Sequence, residues 1–440
     1  MDSRTRVFGG LLLVGFLIFG IIGLVVWRGA QAVDSDSVSS LDSGSDHSDS
    51  GSDHSDSGAD TALDDTATDD TATDDTATDD TATDDTATDD GTSTREGPLA
   101  DFVSEAVAFI EDLRGAPFQA RPVVVALSDA DFIARVESVL EAEFADNPEL
   151  VEQDTVVQRA IGFISPDQTS DEVLRQFLAA GVLGFYDPET KELVVRQVFE
   201  LDLLTKSTIV HELTHAYDDQ LFDLDRPELD DDDFTERSWT FAALAEGSAS
   251  HVETAWVNVL SSREQSDLLY QESSFGDPGV FASFDFAYLL LQVSVYVEGE
   301  PYVDSLVANG GYGALDAAFE ELPLTSEQIM ERDPAVDTVP VYVPVPPADG
   351  EVVWEGTGGQ IVLDSLFSGT FTATEDAATG WGGDAMVVYR ADGQSCMRWD
   401  IVMDSVADEE ELFAGLAEWT ALRGGSVSIV DGRVRLDRCA

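Results

Sequence analysis

The sequence predicts an α+β protein, with a mostly helical domain carrying a small edge sheet and then a C-terminal α+β layer. Three observations carry this. Apolar residues recur at helical spacing through most of 98–332, and strand-like runs there are short and confined to 122–127 and 183–196. The tail from Gly380 alternates apolar and polar residues on either side of one helical stretch. Ahead of these lie an uncharged run and a low-complexity tract, neither of which can build a core.

The uncharged run is Val7–Trp27, 21 residues. A helix needs ~20 apolar residues to cross a bilayer, so 7–27 reads as an N-terminal transmembrane helix. Arg4 and Arg6 place residues 1–6 in the cytoplasm and the rest of the chain outside. Ala30-Gln31-Ala32 also makes an acceptable cleavage sequence, and a cleaved signal peptide exports the body equally. Residues 28–97 form a disordered acidic stalk, with five copies of Asp-Asp-Thr-Ala-Thr from Asp64 to Thr88. His47 and His54 fall in this tract and read as solvated.

In the folded part, Asp101–Leu113 is a helix with Phe102, Val103, Ala106, Val107 and Ile110 on one stripe. Pro122–Leu127 is a strand. Helices then start near Asp129, Asn147 and Thr169, the last with Glu172 placed for a capping box. A hairpin follows, Leu183–Tyr186 and Glu192–Arg196 about a turn at Asp187-Pro188-Glu189-Thr190. Helices are expected over Leu203–Phe222, around Trp239–Leu260 and on to about Arg332, closing a domain over 98–332. Residues 333–360 read as a Pro/Val-rich extended connector. Residues 361–440 read as a C-terminal module, with strands Ala385–Arg390, Cys396–Met403, Ser426–Val430 and Arg433–Asp437 and a helix at Asp408–Leu422. Cys396 and Cys439 are the only cysteines; outside the membrane they are expected to form a disulfide.

The chain has 88 acidic and 22 basic residues, a net charge of −66. From Glu96 onward 67 acids face 18 basic residues, so the folded part alone carries −49. Lys191 and Lys206 are the only lysines. Such a surface repels itself at low salt, and molar salt, with a Debye length of ~3 Å, screens the repulsion. The composition is that of a halophilic protein. It excludes nucleic acid, which requires a basic footprint.

The chemistry concentrates in Ile209–Asp218, which contains His211-Glu212-Leu-Thr-His215. On a helix, positions i and i+4 share a face, so both imidazoles can bind one metal ion. Glu212 is then placed to take a proton from bound water. Thr208 through Tyr217 carry no other charge, as a buried helix requires, although Asp218 and Asp219 follow at once.

A catalytic zinc takes three protein ligands and leaves one position open. Glu246 is the candidate third ligand, in the small-residue run Ala245–Ala249. Ala245, Gly247 and Ala249 would let its helix pack closely on the motif helix. Five residues on, His251 lies ~140° around from Glu246 and does not reach the same metal; it remains an oxyanion donor or a structural residue. Ser250, one turn from Glu246, is placed to support the ligands.

These stretches resemble the gluzincin-type zinc metallopeptidases, and most of all a group of exported bacterial and archaeal members. The likeness runs over about 180–420. Its core is Gly184–Val195, His211–Gln220 and Ala245–Ala249, with weaker similarity at Tyr296–Val303, Gly310–Tyr312, Leu324–Ile329 and Gly380–Asp384. The resemblance implies a zincin-like fold, Zn2+ bound by His211, His215 and Glu246, and Glu212 as general base. It makes the hairpin an edge strand to which an extended peptide adds. Tyr296, Tyr302 and His251 are the candidates for the oxyanion donor. Where the group carries Asp two residues after the third ligand, this chain carries Ser248.

The expected protein is therefore a membrane-anchored, outward-facing zinc metallopeptidase acting on peptides or proteins. The alternative is a non-catalytic surface module of the same fold, held out on the stalk.

Overall fold

A computed structural model describes residues 97–440, except 147, 198–200, 227–228, 230–234, 277, 333–338 and 369–376. The expected anchor at 7–27, and all of the stalk except Gly97, lie outside the described residues. Among the described residues no helix is long and apolar enough to cross a membrane.

The chain is a mixed α and β protein. Helix α1 (Pro98–Arg114) starts on a proline, whose missing N–H costs nothing there, and stops at Gly115, which adopts φ 79°. The expected stripe from Phe102 to Ile110 is buried. Strand β1 (Val123–Ser128) leads through α2 (Asp129–Asp146), α3 (Pro148–Ile161) and α4 (Ser170–Gly181) to the hairpin of β2 (Gly184–Asp187) and β3 (Glu192–Gln197). Glu172 accepts the Thr169 amide, closing the expected cap. In the hairpin turn the Asp187 carboxylate accepts the amides of Glu189 and Thr190.

The three strands form one sheet in the order β1-β3-β2. β2 is antiparallel to β3 and lies at one edge, while β1 joins β3 in parallel, Val123 opposite Glu192. The hairpin as a whole was expected at the edge; β2 lies there, whereas β3 is central. The parallel partner was not expected, because it comes from across three helices and leaves no mark in the local pattern.

Helix α5 (Leu203–Phe222) has the bounds read from the sequence, capped by Asp202, whose carboxylate accepts the Thr205 amide. It is buried on nearly every face from Leu204 to Asp219, which makes it the central helix of the domain. Around it lie α6 (Thr235–Val259), α7 (Ser262–Ser274), α8 (Phe286–Gly310), α9 (Tyr312–Glu320) and α10 (Ser326–Glu331). The small residues of α6 do not all serve the contact expected of them. Gly247 faces α8: a Cβ there would lie 2.3 Å from the Gly299 backbone, and one on Gly299 would lie 2.1 Å from the Ala243 oxygen. The two helices thus cross backbone to backbone, and no side chain fits between them.

The second sheet is antiparallel throughout, in the order β4 (Glu351–Gly356), β5 (Trp381–Ala391), β6 (Gln394–Met403), β8 (Arg433–Cys439), β7 (Ser426–Val430). Helices α11 (Gly359–Ser368) and α12 (Val406–Arg423) accompany it. Cys396 and Cys439 stand opposite each other on β6 and β8 and are bridged. The expected boundaries at 333–360 are corrected in part. Residues 339–350 contain no helix or strand, but 351–356 form the sheet's edge strand, and α11 begins at Gly359. Nor do the helical domain and the sheet have separate cores. Phe132, Phe177, Trp239 and Tyr296 share one apolar cluster with Trp354, Trp381, Trp399 and Val434.

Candidate metal centre

Helices α5 and α6 bring His211, His215 and Glu246 together. One ligand atom from each lies within 4.8 Å of the others, and all three residues are buried. The imidazoles sit one turn apart with ring centroids at 4.9 Å. Both Nε2 atoms face the same Glu246 oxygen, at 3.0 Å from His211 and 3.4 Å from His215. The spacing of the first two residues was legible as a helical i, i+4 pair. The third arrives because α6 runs alongside α5.

The fit of the donor set to zinc shows in its unused atoms. Two nitrogens and a carboxylate suit zinc. Oε1 of Glu212 and Oε1 of Glu246 are buried with no hydrogen-bond partner in the protein. Buried carboxylate oxygens left unpaired are costly unless a cation or water meets them. Both lie on or beside the triad, so the residues present fit a bound cation and its water.

The electrostatics are those of a tightly coupled group. Burial lowers the His211 pKa, but hydrogen bonds to Glu246 and Glu253 outweigh it and push the value up to about 10. Burial alone would raise Glu246; His215 and His211 hold it below the usual carboxylate range. Glu212 is pushed up to about 7, chiefly by burial, against the pull of His211 and His215.

Tyr296, on α8, stands over this group with its ring centroid 6.2 Å from that of His211. Burial, followed by the charges of Glu246 and Glu212, raises its hydroxyl pKa well above normal, so it keeps its proton. Tyr302 packs instead against two apolar clusters. His251 is not among the residues brought together. Its Nδ1 lies 2.6 Å from Asp304 and its Nε2 lies 3.1 Å from the Tyr312 hydroxyl. The helical rotation that separates it from Glu246 accounts for this.

Strand β2 crosses close to Glu212. A Cβ on Gly184 would lie 2.7 Å from Thr208 Cγ2 and 3.3 Å from Glu212 Cγ. Only glycine lets the edge strand come down this far on α5.

Asp218 and Asp219 belong to the buried stretch of α5, which closes on them. Asp218 is buried against Arg114, at 2.7 Å, and accepts from Ser248 at 2.6 Å. Asp219 accepts from the Tyr186 hydroxyl and pairs with Lys191. Ser248 therefore serves Asp218 and not a histidine ligand. Ser250 is buried with its hydroxyl unpartnered, so the support expected of it is not made. The residue that meets His211 is Glu253, at 3.2 Å from Nδ1. It lies seven positions after Glu246, two turns along the same helix face. That periodicity is the signal that could have found it.

A family model described as a domain of unknown function (DUF8575) matches residues 348–438. The match covers the five-stranded sheet except Cys439 and contains none of His211, His215 and Glu246. No curated protein and no solved structure matches the chain.

Proposed function

We propose that this chain is a zinc metallopeptidase of zincin-like fold, with zinc held by His211, His215 and Glu246 and Glu212 acting as general base. One observation carries the reading: two imidazoles and a carboxylate converge in a buried pocket beside Glu212, whose Oε1 has no partner in the protein. A purely structural site has no use for that fourth group.

Zinc bound there would polarise a peptide carbonyl and lower the pKa of water toward ~7. The chain's own residues do the rest. Glu212 takes the proton from the attacking water and passes it to the leaving amine. Tyr296, with its proton retained, donates to the carbonyl oxygen as that oxygen gains charge. The edge of β2 that faces away from β3 would align the substrate. Leu183 accepts the Arg196 amide, and bonded pairs alternate along an antiparallel ladder, so Gly184 and Tyr186 point their backbone groups away from β3. An extended peptide adds there as a fourth strand. His251 is engaged by Asp304 and Tyr312, and the reading gives it no step. The run at 7–27 would anchor the enzyme in the cell membrane, with the body facing the exterior on its acidic stalk.

The test is zinc content and turnover of a quenched peptide by the full-length chain in molar salt, beside Glu212→Gln. One zinc per chain, with turnover in the parent and none in the variant, is expected. Zinc in both with turnover in neither points to the non-catalytic module. Well-folded protein without zinc overturns the reading.

A further inference from the structure

Resting on that zinc reading, we infer that Glu253 is a positioning residue of the metal centre, with Ser207 holding it in place. A histidine ligand must offer one ring nitrogen free of its proton and keep the ring still. The usual means is a hydrogen bond from the other nitrogen to a carboxylate or carbonyl. Ser248 and Ser250 do not supply it. Glu253 stands 3.2 Å from His211 Nδ1, on the opposite side of the ring from Nε2, which faces Glu246 at 3.0 Å.

Glu253 is itself fixed. Its second oxygen accepts the Ser207 hydroxyl at 2.5 Å, and both residues are fully buried. Ser207 lies one turn before His211 on α5, so the brace spans the same two helices that supply the ligands. A buried carboxylate with one hydroxyl donor is incompletely paired, and an Nδ1–H from His211 completes it. With zinc bound, that proton location leaves Nε2 to the metal beside Glu246, which is the tautomer a metal requires. The chain thus orients its first ligand from a position two turns beyond the third ligand.

The test measures zinc affinity of the full-length chain in molar salt by chelator competition, with 15N spectra of the histidine rings. Glu253→Ala is expected to weaken zinc ~10–100-fold, the usual effect of removing such a partner. Glu253→Gln and Ser207→Ala are expected to weaken it less, in the same direction. In the zinc-loaded parent the His211 Nδ1–H should give a strongly hydrogen-bonded, exchange-protected signal, and in Glu253→Ala that signature should be lost. A merely structural role would lower the melting temperature and leave the Nδ1–H signal unchanged. Ser250→Ala is the control and should bind zinc like the parent.

If Glu253→Ala does not fold, Glu253→Gln and Ser207→Ala decide the matter. Zinc in the parent with unchanged affinity in the Glu253 and Ser207 variants overturns this assignment alone. A control that loses as much affinity as they do overturns it too. A folded parent without zinc overturns the metal reading, and this assignment with it.

Discussion

Arg114 reaches from the last turn of α1 to within 2.7 Å of Asp218 on α5, and both side chains are withdrawn from solvent. The guanidinium also donates to Ser248 and Asp316 and lies over the rings of Tyr217 and Tyr312. One cation therefore ties α1, α5, α6 and α9 together, at a residue three positions beyond His215. Arg114→Met would leave the Asp218 carboxylate buried with only Ser248. Breaking such a pair costs ~3–5 kcal/mol. Denaturant unfolding in molar salt should show a loss of that order, and a loss under ~1 kcal/mol would mean that the pair is not buried as described.

The α6–α8 crossing gives a second expectation. Gly299→Ala places a methyl 2.1 Å from the Ala243 oxygen, where backbone cannot yield without parting the helices. Overpacking of this kind costs ~1–3 kcal/mol or more. Because Glu246 and Tyr296 ride on these two helices, zinc affinity should fall together with the unfolding midpoint. A variant with parental stability and parental zinc affinity would contradict the close crossing.

Gly184→Ala tests the edge strand. The added methyl meets Thr208 and Glu212, and must lift β2 away from α5. Peptide turnover should fall at least ~10-fold, with zinc content preserved because no ligand lies on β2. Parental kcat/KM in this variant would remove β2 from the substrate path.

The bridge between β6 and β8 closes a loop with a sequence separation of 43. Replacing both Cys396 and Cys439 with alanine frees that loop in the unfolded chain, which costs ~2–4 kcal/mol. Unfolding with and without reductant should differ by that amount in the parent and not at all in the double variant.

Asp154 sets a pH dependence. Burial, opposed by hydrogen bonds from Ser170 and Gln158, raises its pKa from 3.8 to about 7. The folded chain keeps this proton up to about 7, while the unfolded chain releases it near ~4. Between those values the folded state binds more protons, so stability falls as pH rises and levels off above about 7. Asp154→Asn removes the contribution. The parent should lose more stability than the variant between pH 5 and pH 8, and parallel losses would refute the assignment.

Much of this arrangement was written locally. The motif helix was legible to its ends because Asp202 caps it and its charge-free run is long. The hairpin was legible from its turn residues, and the bridge from the only two cysteines. The unread parts depended on distant partners. Asp218 and Asp219 look like the end of a buried run until Arg114 and Lys191 arrive to meet them. Strand β4 was hidden in a Pro/Val-rich stretch, since an edge strand with one exposed face carries a weak pattern. Glu253 lies two turns beyond Glu246, and only the packing of α6 on α5 shows that it meets His211.

The unbroken core has a consequence for how this chain could be divided. The recurring stretch at 348–438 contains all of the second sheet but Cys439, yet Trp354, Trp381 and Trp399 pack in one cluster with Phe132 and Trp239. Arg438, its final residue, reaches the carbonyls of Arg159 and Ala160 at the end of α3. Cut free at residue 347, the sheet would present a row of indoles to water and the helix would lose its terminal cation. A segment that recurs among sequences as a unit of inheritance is here only half a unit of folding.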